Sequence, residues 1–252
     1  MTSRFIETLK VPGSCQFGTW VKLDSPETIE CLALAGFNFI AIDMEHAPLT
    51  FQASYRNIVI AQGLGLKVLV RLPDSSGAYA QRILDCGADG VLIPRVRSEQ
   101  EARDVMTGMI FSPVGHRGLG ITSRAGHWGL KPTAQYVEEG NNHVLRIPQL
   151  EDPGALGDVE KILAVPGVNA IFVGPGDLAL STGKPASHPD NSQLITNLIN
   201  VANRLNIPCG TAVGDVNAAI KAKENGFNFV MISNDISIFA KSSASMINQL
   251  KS

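Results

Sequence analysis

This sequence is short of several things. Among 252 residues there are only four cysteines, 6% aromatic residues and 17% charged residues. Cys15, Cys31, Cys86 and Cys209 lie far apart and form no C-x-x-C pair, which argues against a zinc knuckle or a thioredoxin-like motif. Cys31 and Cys86 sit in helical apolar patterns and Cys209 in a strand-like run, so buried reduced thiols are the expectation. Neither sign of charge is in excess: 21 Lys and Arg stand against 23 Asp and Glu, net −2. A nucleic-acid binder would need a basic surplus. No apolar run approaches the roughly 18 residues that span a bilayer. The segment 1–14 mixes Arg4, Glu7 and Lys10 with apolar residues and has no signal-type apolar core. The expected protein is globular and cytoplasmic, with neither nucleic acid nor membrane as partner. At 44% hydrophobic residues, composition also excludes disorder and collagen. No G-x-G-x-x-G follows the first strand candidate, so a dinucleotide-binding fold loses its main support.

What is present is a weak internal repeat. Gly36-Phe-Asn-Phe-Ile-Ala-Ile42, Gly87-Ala-Asp-Gly-Val-Leu-Ile93, Gly167-Val-Asn-Ala-Ile-Phe-Val173 and Gly226-Phe-Asn-Phe-Val-Met-Ile232 share one form. In each, a glycine supplies the left-handed conformation that ends a helix, and an apolar run reads as a buried parallel strand. Four more strand candidates lie between them: Gly18–Leu23, Lys67–Leu72, Val144–Leu150 and Ile207–Val213. Helical patterns separate most of the eight. Ser25-Pro26-Glu27 opens the first helix, Ser98 with Glu101 forms a capping box, and apolar spacing marks helices over 194–205, 216–220 and 237–250. Eight strand–helix units in about 250 residues fit an α/β class chain folded as a single (β/α)8 barrel over 1–252. Pro94 and Pro148 fall in the fourth and fifth strands, where a closed barrel has no edge, so bulges or strand ends are expected there. The long irregular stretch Phe111–Asn142 reads as a lid or binding segment.

Barrel active sites lie at the C-terminal ends of the strands. Strand two ends in Asp43-Met-Glu45-His46, strand three at Arg71, strand four at Arg95, strand five in Gln149-Leu-Glu151 and strand six in Gly174-Pro-Gly-Asp177. Loops are polar in any protein, yet this gathering on successive strands is more than a surface needs. Glu151 and Asp177 end adjacent strands, about 5 Å apart at the backbone. Two carboxylates so close repel unless they share a proton or a cation. A divalent cation such as Mg²⁺, Mn²⁺ or Co²⁺ is one solution, with water or substrate oxygens completing its shell. The bland alternative is a helix cap for one and an Arg partner for the other. Arg71 either grips a substrate carboxylate or keto oxygen, or forms a rim salt bridge with Asp43 or Glu45. His46 titrates near neutrality and suits a base, although a lone histidine is more often structural. Asp85 either orients His46 or is merely a helix C-terminal residue. Lys22, ending strand one, is the one good position for an imine-forming lysine. His127 and Arg124 are weaker candidates with a surface role as their default.

Taken in order, Phe37-Asn-Phe-Ile-Ala-Ile-Asp-Met-Glu-His-Ala-Pro48, Arg71-Leu-Pro73, Ile83-Leu-Asp-Cys-Gly-Ala88, Arg117-Gly-Leu-Gly120, Gln149-Leu-Glu151 and Ile171-Phe-Val-Gly-Pro-Gly-Asp-Leu178 resemble the HpcH/HpaI family of metal-dependent, pyruvate-forming aldolases. The resemblance runs from about Gly18 to Ser237. It implies a (β/α)8 barrel, commonly hexameric, with the last helix often exchanged between subunits. It implies that Glu151 and Asp177 bind the metal, that Arg71 and Gln149 contact substrate, and that the N–H groups of Gly176 and Asp177 hold the pyruvate carboxylate. It makes His46, paired with Asp85, the group that activates a metal-bound water, with Asp43 and Glu45 as supports behind the site. The implied reaction is reversible retro-aldol cleavage of a 4-hydroxy-2-oxo acid to pyruvate and an aldehyde. Oxaloacetate decarboxylation and a macrophomate-synthase-like condensation use the same enolate; a Schiff-base aldolase on Lys22 and a non-catalytic binding barrel are the remaining alternatives. Arg95, Pro148 and Asp152 depart from the family's usual residues, and Arg95 bears on the choice of an acidic aldehyde.

Overall fold

Eight apolar runs become strands: β1 (Gln16–Val21), β2 (Phe39–Asp43), β3 (Lys67–Arg71), β4 (Gly90–Ile93), β5 (Leu145–Leu150), β6 (Ile171–Val173), β7 (Cys209–Val213) and β8 (Phe229–Asn234). In the computed structural model, which describes residues 4–251, each strand pairs in parallel with the next and β8 closes on β1. The strand–helix rhythm is therefore a closed (β/α)8 barrel. Its helices are α1 (Phe5–Leu9), α2 (Pro26–Leu34), α3 (Phe51–Gly63), α4 (Ala80–Asp85), α5 (Glu99–Thr107), α6 (Thr133–Asn142), α7 (Pro153–Gly157), α8 (Val159–Leu163), α9 (Pro175–Thr182), α10 (Pro189–Arg204), α11 (Val216–Glu224) and α12 (Asp235–Lys251). The expected caps are made: the hydroxyl oxygens of Ser25 and Ser98 accept from Thr28 N and Glu101 N, each at 3.2 Å.

The fourfold repeat has a physical explanation. Gly36, Gly87, Gly167 and Gly226 all have φ between +86° and +98°, which a residue with a Cβ adopts only under strain. Two residues later, a side-chain oxygen accepts a backbone N–H of the preceding strand. Asn38 takes Phe17 N at 2.8 Å, Asp89 takes Val68 N at 2.9 Å, Asn169 takes Arg146 N at 2.8 Å and Asn228 takes Cys209 N at 2.8 Å. Each repeat thus pins an odd-numbered strand to its even-numbered neighbour at the start of the sheet.

Strand parity separates two cores. Phe39, Ala41, Leu69, Leu92, Leu145, Ile147, Phe172, Phe229 and Met231 fill the barrel, whereas Ile40, Ile42, Val68, Val70, Val91, Ile93 and Val230 face the helices. Few as they are, aromatic rings form a column inside. Phe5 of α1 plugs the strands' N-terminal end against Phe39 at 5.3 Å between ring centres; Phe39 meets Phe229 at 6.1 Å, Phe229 meets Phe172 at 6.1 Å, and Phe172 meets Trp20 at 6.0 Å. The rings need space that small residues concede: a Cβ on Gly18 would lie 2.6 Å from the Phe39 ring.

Several expectations need correction. The 111–142 stretch is not wholly irregular, since its last third is α6 and a 3-10 turn covers His127–Gly129. Nor is it a lid over its own barrel. It connects a helix to the next strand, so it lies at the N-terminal end of the sheet, where Arg124 donates to Cys86 O at 3.0 Å and Ala125 N to Asp85 O at 3.1 Å. Pro94 stands just past the end of β4, as expected, but Pro148 is inside β5 without a bulge; regular pairing of β5 with β6 simply begins at Gln149. Cys31 is exposed on α2 rather than buried, while Cys86 and Cys209 are buried free thiols. Helix α12 projects from the barrel, packing chiefly on β1 and β8, with Phe239, Met246, Ile247 and Leu250 exposed. No helix among the described residues is long and apolar enough to cross a membrane.

Candidate active site

The parity that fills the barrel with apolar side chains continues past the core and points charges into its mouth. Asp43 follows Phe39 and Ala41 on the inward face of β2; Arg71 follows Leu69 on β3; Gln149 and Glu151 follow Leu145 and Ile147 on β5. Asp43 and Arg71 are register partners. The guanidinium of Arg71 donates from Nε to Asp43 Oδ1 at 3.0 Å and from Nη2 to Oδ2 at 2.8 Å, and its Nη1 lies 3.0 Å from Glu45 Oε2. The group rests 4.3 Å above the Trp20 ring. Both readings of Arg71 therefore meet: it is salt-bridged to Asp43 and Glu45, yet two of its five N–H bonds remain for a ligand. Asp43 also accepts from the backbone N–H groups of Glu45 and His46, each at 3.1 Å, which shapes the turn after β2. Burial pushes the Asp43 carboxyl up, but the hydrogen bonds and charges of Arg71 and Lys22 overcome it and hold the group at about 2.

Glu151 is the opposite case. It is buried, and its nearest polar partner is the Gln149 amide, which donates to Oε1. Burial, then the like charges of Asp177 and Glu45, push its carboxyl up to about 7. Gly174 permits the approach of β6: a Cβ there would lie 3.1 Å from Glu151 Cγ. Asp177 sits in the first turn of α9, exposed at the rim. Asp152, by contrast, caps α7 by accepting from Ala155 N at 2.9 Å. Among the described residues no three His, Cys, Asp or Glu side chains gather as a complete metal cage. Converging carboxylates short of positive charge, beside the unpartnered Gln149 Oε1, instead fit a hard divalent cation that keeps open positions for water or substrate.

The structure does not bring every candidate together. His46 is exposed at the mouth with Nε2 3.7 Å from Glu45 Oε2. Asp85 ends α4 at the other end of the barrel, where its Oδ1 accepts from Arg117 Nη2 at 2.7 Å and the Tyr136 hydroxyl at 3.1 Å. Within one chain the two are apart. Lys22 Nζ is bound at 2.7 Å to Asp43 Oδ2, and Gln149 is turned onto Glu151. His127 and Arg124 belong to the far end. The sequence reading missed Trp20, whose inward parity in β1 was the available signal. It also missed Asp235, which is buried and accepts from Lys22 N and Leu23 N at 3.0 Å, tying the end of β1 to α12.

The profile of the family described as HpcH/HpaI aldolase/citrate lyase matches residues 16–242. The chain belongs to this family. A 2-dehydro-3,6-dideoxy-6-sulfogluconate aldolase of Pseudomonas putida is 32% identical over 241 residues, covering 94% of this chain and 93% of that protein. A 5-keto-4-deoxy-D-glucarate aldolase of Salmonella paratyphi A is 33% identical over 238 residues, covering 94% and 92%. The crystal structure of an HpcH/HpaI aldolase from Desulfitobacterium hafniense superposes with a TM-score of 0.90 at 29% identity, covering 99% of this chain and 97% of that one. These relatives are aldolases, hence carbon–carbon lyases. The family's fold is the barrel described above, and its motifs fall on the mouth, apart from Asp85 and Arg117.

Proposed function

We propose that this HpcH/HpaI family member is a divalent-metal-dependent aldolase that reversibly cleaves a 4-hydroxy-2-oxo acid to pyruvate and an aldehyde. The observation that carries the reading is Glu151, a buried carboxyl raised to about 7 by burial and by the charges of Asp177 and Glu45. Glu151 and Asp177 are the proposed ligands of Mg²⁺, Mn²⁺ or Co²⁺. A bound cation would supply Lewis-acid stabilisation of the negative charge that develops on the C2 oxygen as the C3–C4 bond breaks.

The chain's own residues account for the rest. Arg71 holds two N–H bonds toward the same oxygen, and its grip on Asp43 and Glu45 fixes their direction before substrate arrives. Gly176 and Asp177 open α9 just after Pro175, so their N–H groups are unsatisfied helix donors suited to the substrate carboxylate. His46 is the basic group at the mouth able to take the C4 hydroxyl proton, directly or through water. Any pairing of His46 with Asp85 requires a second copy of the chain. The apolar, exposed face of α12 supports a homo-oligomer, including a hexamer with that helix exchanged. Lys22 is spoken for by Asp43, which favours enolate over imine chemistry.

The test is metal removal and return. Protein treated with a chelator should lose cleavage of hydroxy-oxo acids and decarboxylation of oxaloacetate, and Mn²⁺ should restore both; full turnover by stripped protein sinks the reading. Borohydride with pyruvate should leave activity intact.

A further inference from the structure

Arg95 has no role in the chemistry just described, yet the fold goes to some trouble to place it. It is one of the few non-glycine residues with positive φ, at +55°, a conformation held only where the surroundings impose it. Its origin is local. Ile93 ends β4 facing the helices, so continued alternation would turn Pro94 inward and Arg95 outward. Instead the chain kinks at Arg95, and the next residue rejoins the sheet through Val96 N to Gln149 O at 3.1 Å. Such a one-residue kink at a strand end re-aims a side chain. Here it delivers the Arg95 guanidinium to the mouth, with Nε 3.3 Å from Glu45 Oε1.

Neutralising Glu45 does not explain this placement. That carboxylate already has Arg71 Nη1 at 3.0 Å. Arg95 approaches it only with Nε, whereas an arginine recruited as an ion-pair partner presents two parallel donors. Both Nη groups of Arg95 have no partner among the described residues, and the side chain is 50% exposed. Arg71 and Arg95 thus flank one carboxylate, their guanidinium groups separated by its width and two hydrogen-bond lengths. That gap is spanned by a short carbon chain. One fork faces the reacting end of a substrate, and the other stands open a few carbons away.

We infer that Arg95 is the anchor of a second oxyanion subsite, which selects substrates whose aldehyde portion carries a terminal carboxylate. This rests on the aldolase reading above and specifies its substrate class. Glu45 orients the anchor through Nε, and the free Nη edge binds the far carboxylate in two-point fashion.

The test compares six-carbon 2-oxo acids with and without a terminal carboxylate, titrated calorimetrically into Mn²⁺-loaded protein. 2-Oxoadipate should bind at least about 10-fold more tightly than 2-oxohexanoate, as one charge-assisted pair allows. Arg95→Gln should bring the two within roughly threefold by weakening 2-oxoadipate alone, and Arg95→Lys should keep part of the preference. Both replacements meet the same backbone strain as arginine, so folding is not the variable. In pyruvate addition, succinic semialdehyde should beat butanal by a similar ratio, expressed mainly in KM and erased in Arg95→Gln. Equal binding of the two acids by the wild type, binding of neither, or parallel loss of both in Arg95→Gln overturns the inference. Arg95-dependent preference in binding, with no carbon–carbon bond made or broken, would uphold the subsite and reject the aldolase reading.

Discussion

The two ends of this barrel are built from the same alternating strands and handle charge in opposite ways. At the N-terminal end, ionised groups pair off. Arg117 is buried on Asp85 at 2.7 Å and lies 4.5 Å from the Phe111 ring; Lys131 meets Glu139 at 2.6 Å. At the C-terminal end, Lys22, Arg71 and Arg95 crowd around Asp43 and Glu45, while Glu151 is left with an amide and two like-charged neighbours. Paired charges hold a structure in place. Unpaired ones store unfavourable energy that a cation or substrate can release, so the imbalance marks the working end more clearly than polarity does.

The comparison can be broken most directly at Glu151. Glu151→Gln removes a proposed metal ligand, so kcat/KM should fall by about a thousandfold or more, several kcal/mol of transition-state stabilisation. Calorimetric Mn²⁺ binding should vanish with it. The melting temperature of the metal-free variant at pH 8 should match or exceed wild type, because repulsion has been relieved. A stable, fully active variant would show that the mouth is not a metal centre. At the other end the balance reverses. Arg117→Met strands the Asp85 carboxylate and should cost about 3 kcal/mol in denaturant unfolding. Mn²⁺ affinity should stay within roughly threefold, since distant sites contribute independently; a large loss of metal binding would show that the two ends are coupled.

Acid and alkaline stability sharpen the contrast within the mouth itself. Asp43 is held below its unfolded value, so its stabilisation is present above about pH 4 and lost as pH falls through about 2. The stability difference between wild type and Asp43→Asn should therefore shrink by about 2 kcal/mol between pH 4 and pH 2. Glu151 is raised, so the sign is opposite: metal-free protein should lose stability as pH rises through about 7, by about 1 kcal/mol after allowing for solvent screening. Added Mn²⁺ should reverse that loss, and Glu151→Gln should lack it. Thermal melts across pH measure both.

Much of the architecture was legible because it depends on local rules. The glycines ending helices, the Ser25 and Ser98 caps and the two-residue alternation all act over a few residues. The Gly-x-[Asn/Asp] repeat was visible too, but its purpose was not. The hydrogen bonds from Asn38, Asp89, Asn169 and Asn228 cross to strands about 20 residues away in sequence. The site was legible as a set of strand ends: Asp43, Glu45, His46, Arg71, Glu151 and Asp177 do share one rim. Asp85 was harder, because its place depends on which way α4 runs. So was the 111–142 segment, since a long loop reads the same at either end of a barrel.

The sequence by itself determined the repeat, the strand parity and hence which side chains enter the barrel, because backbone geometry fixes those within each element. Only the tertiary structure decided how the charges divide. Whether a carboxylate meets a guanidinium, as Asp43 does, or other carboxylates, as Glu151 does, depends on which strands become neighbours when the sheet closes. Distance and burial then convert equal side chains into one acid held near 2 and another near 7.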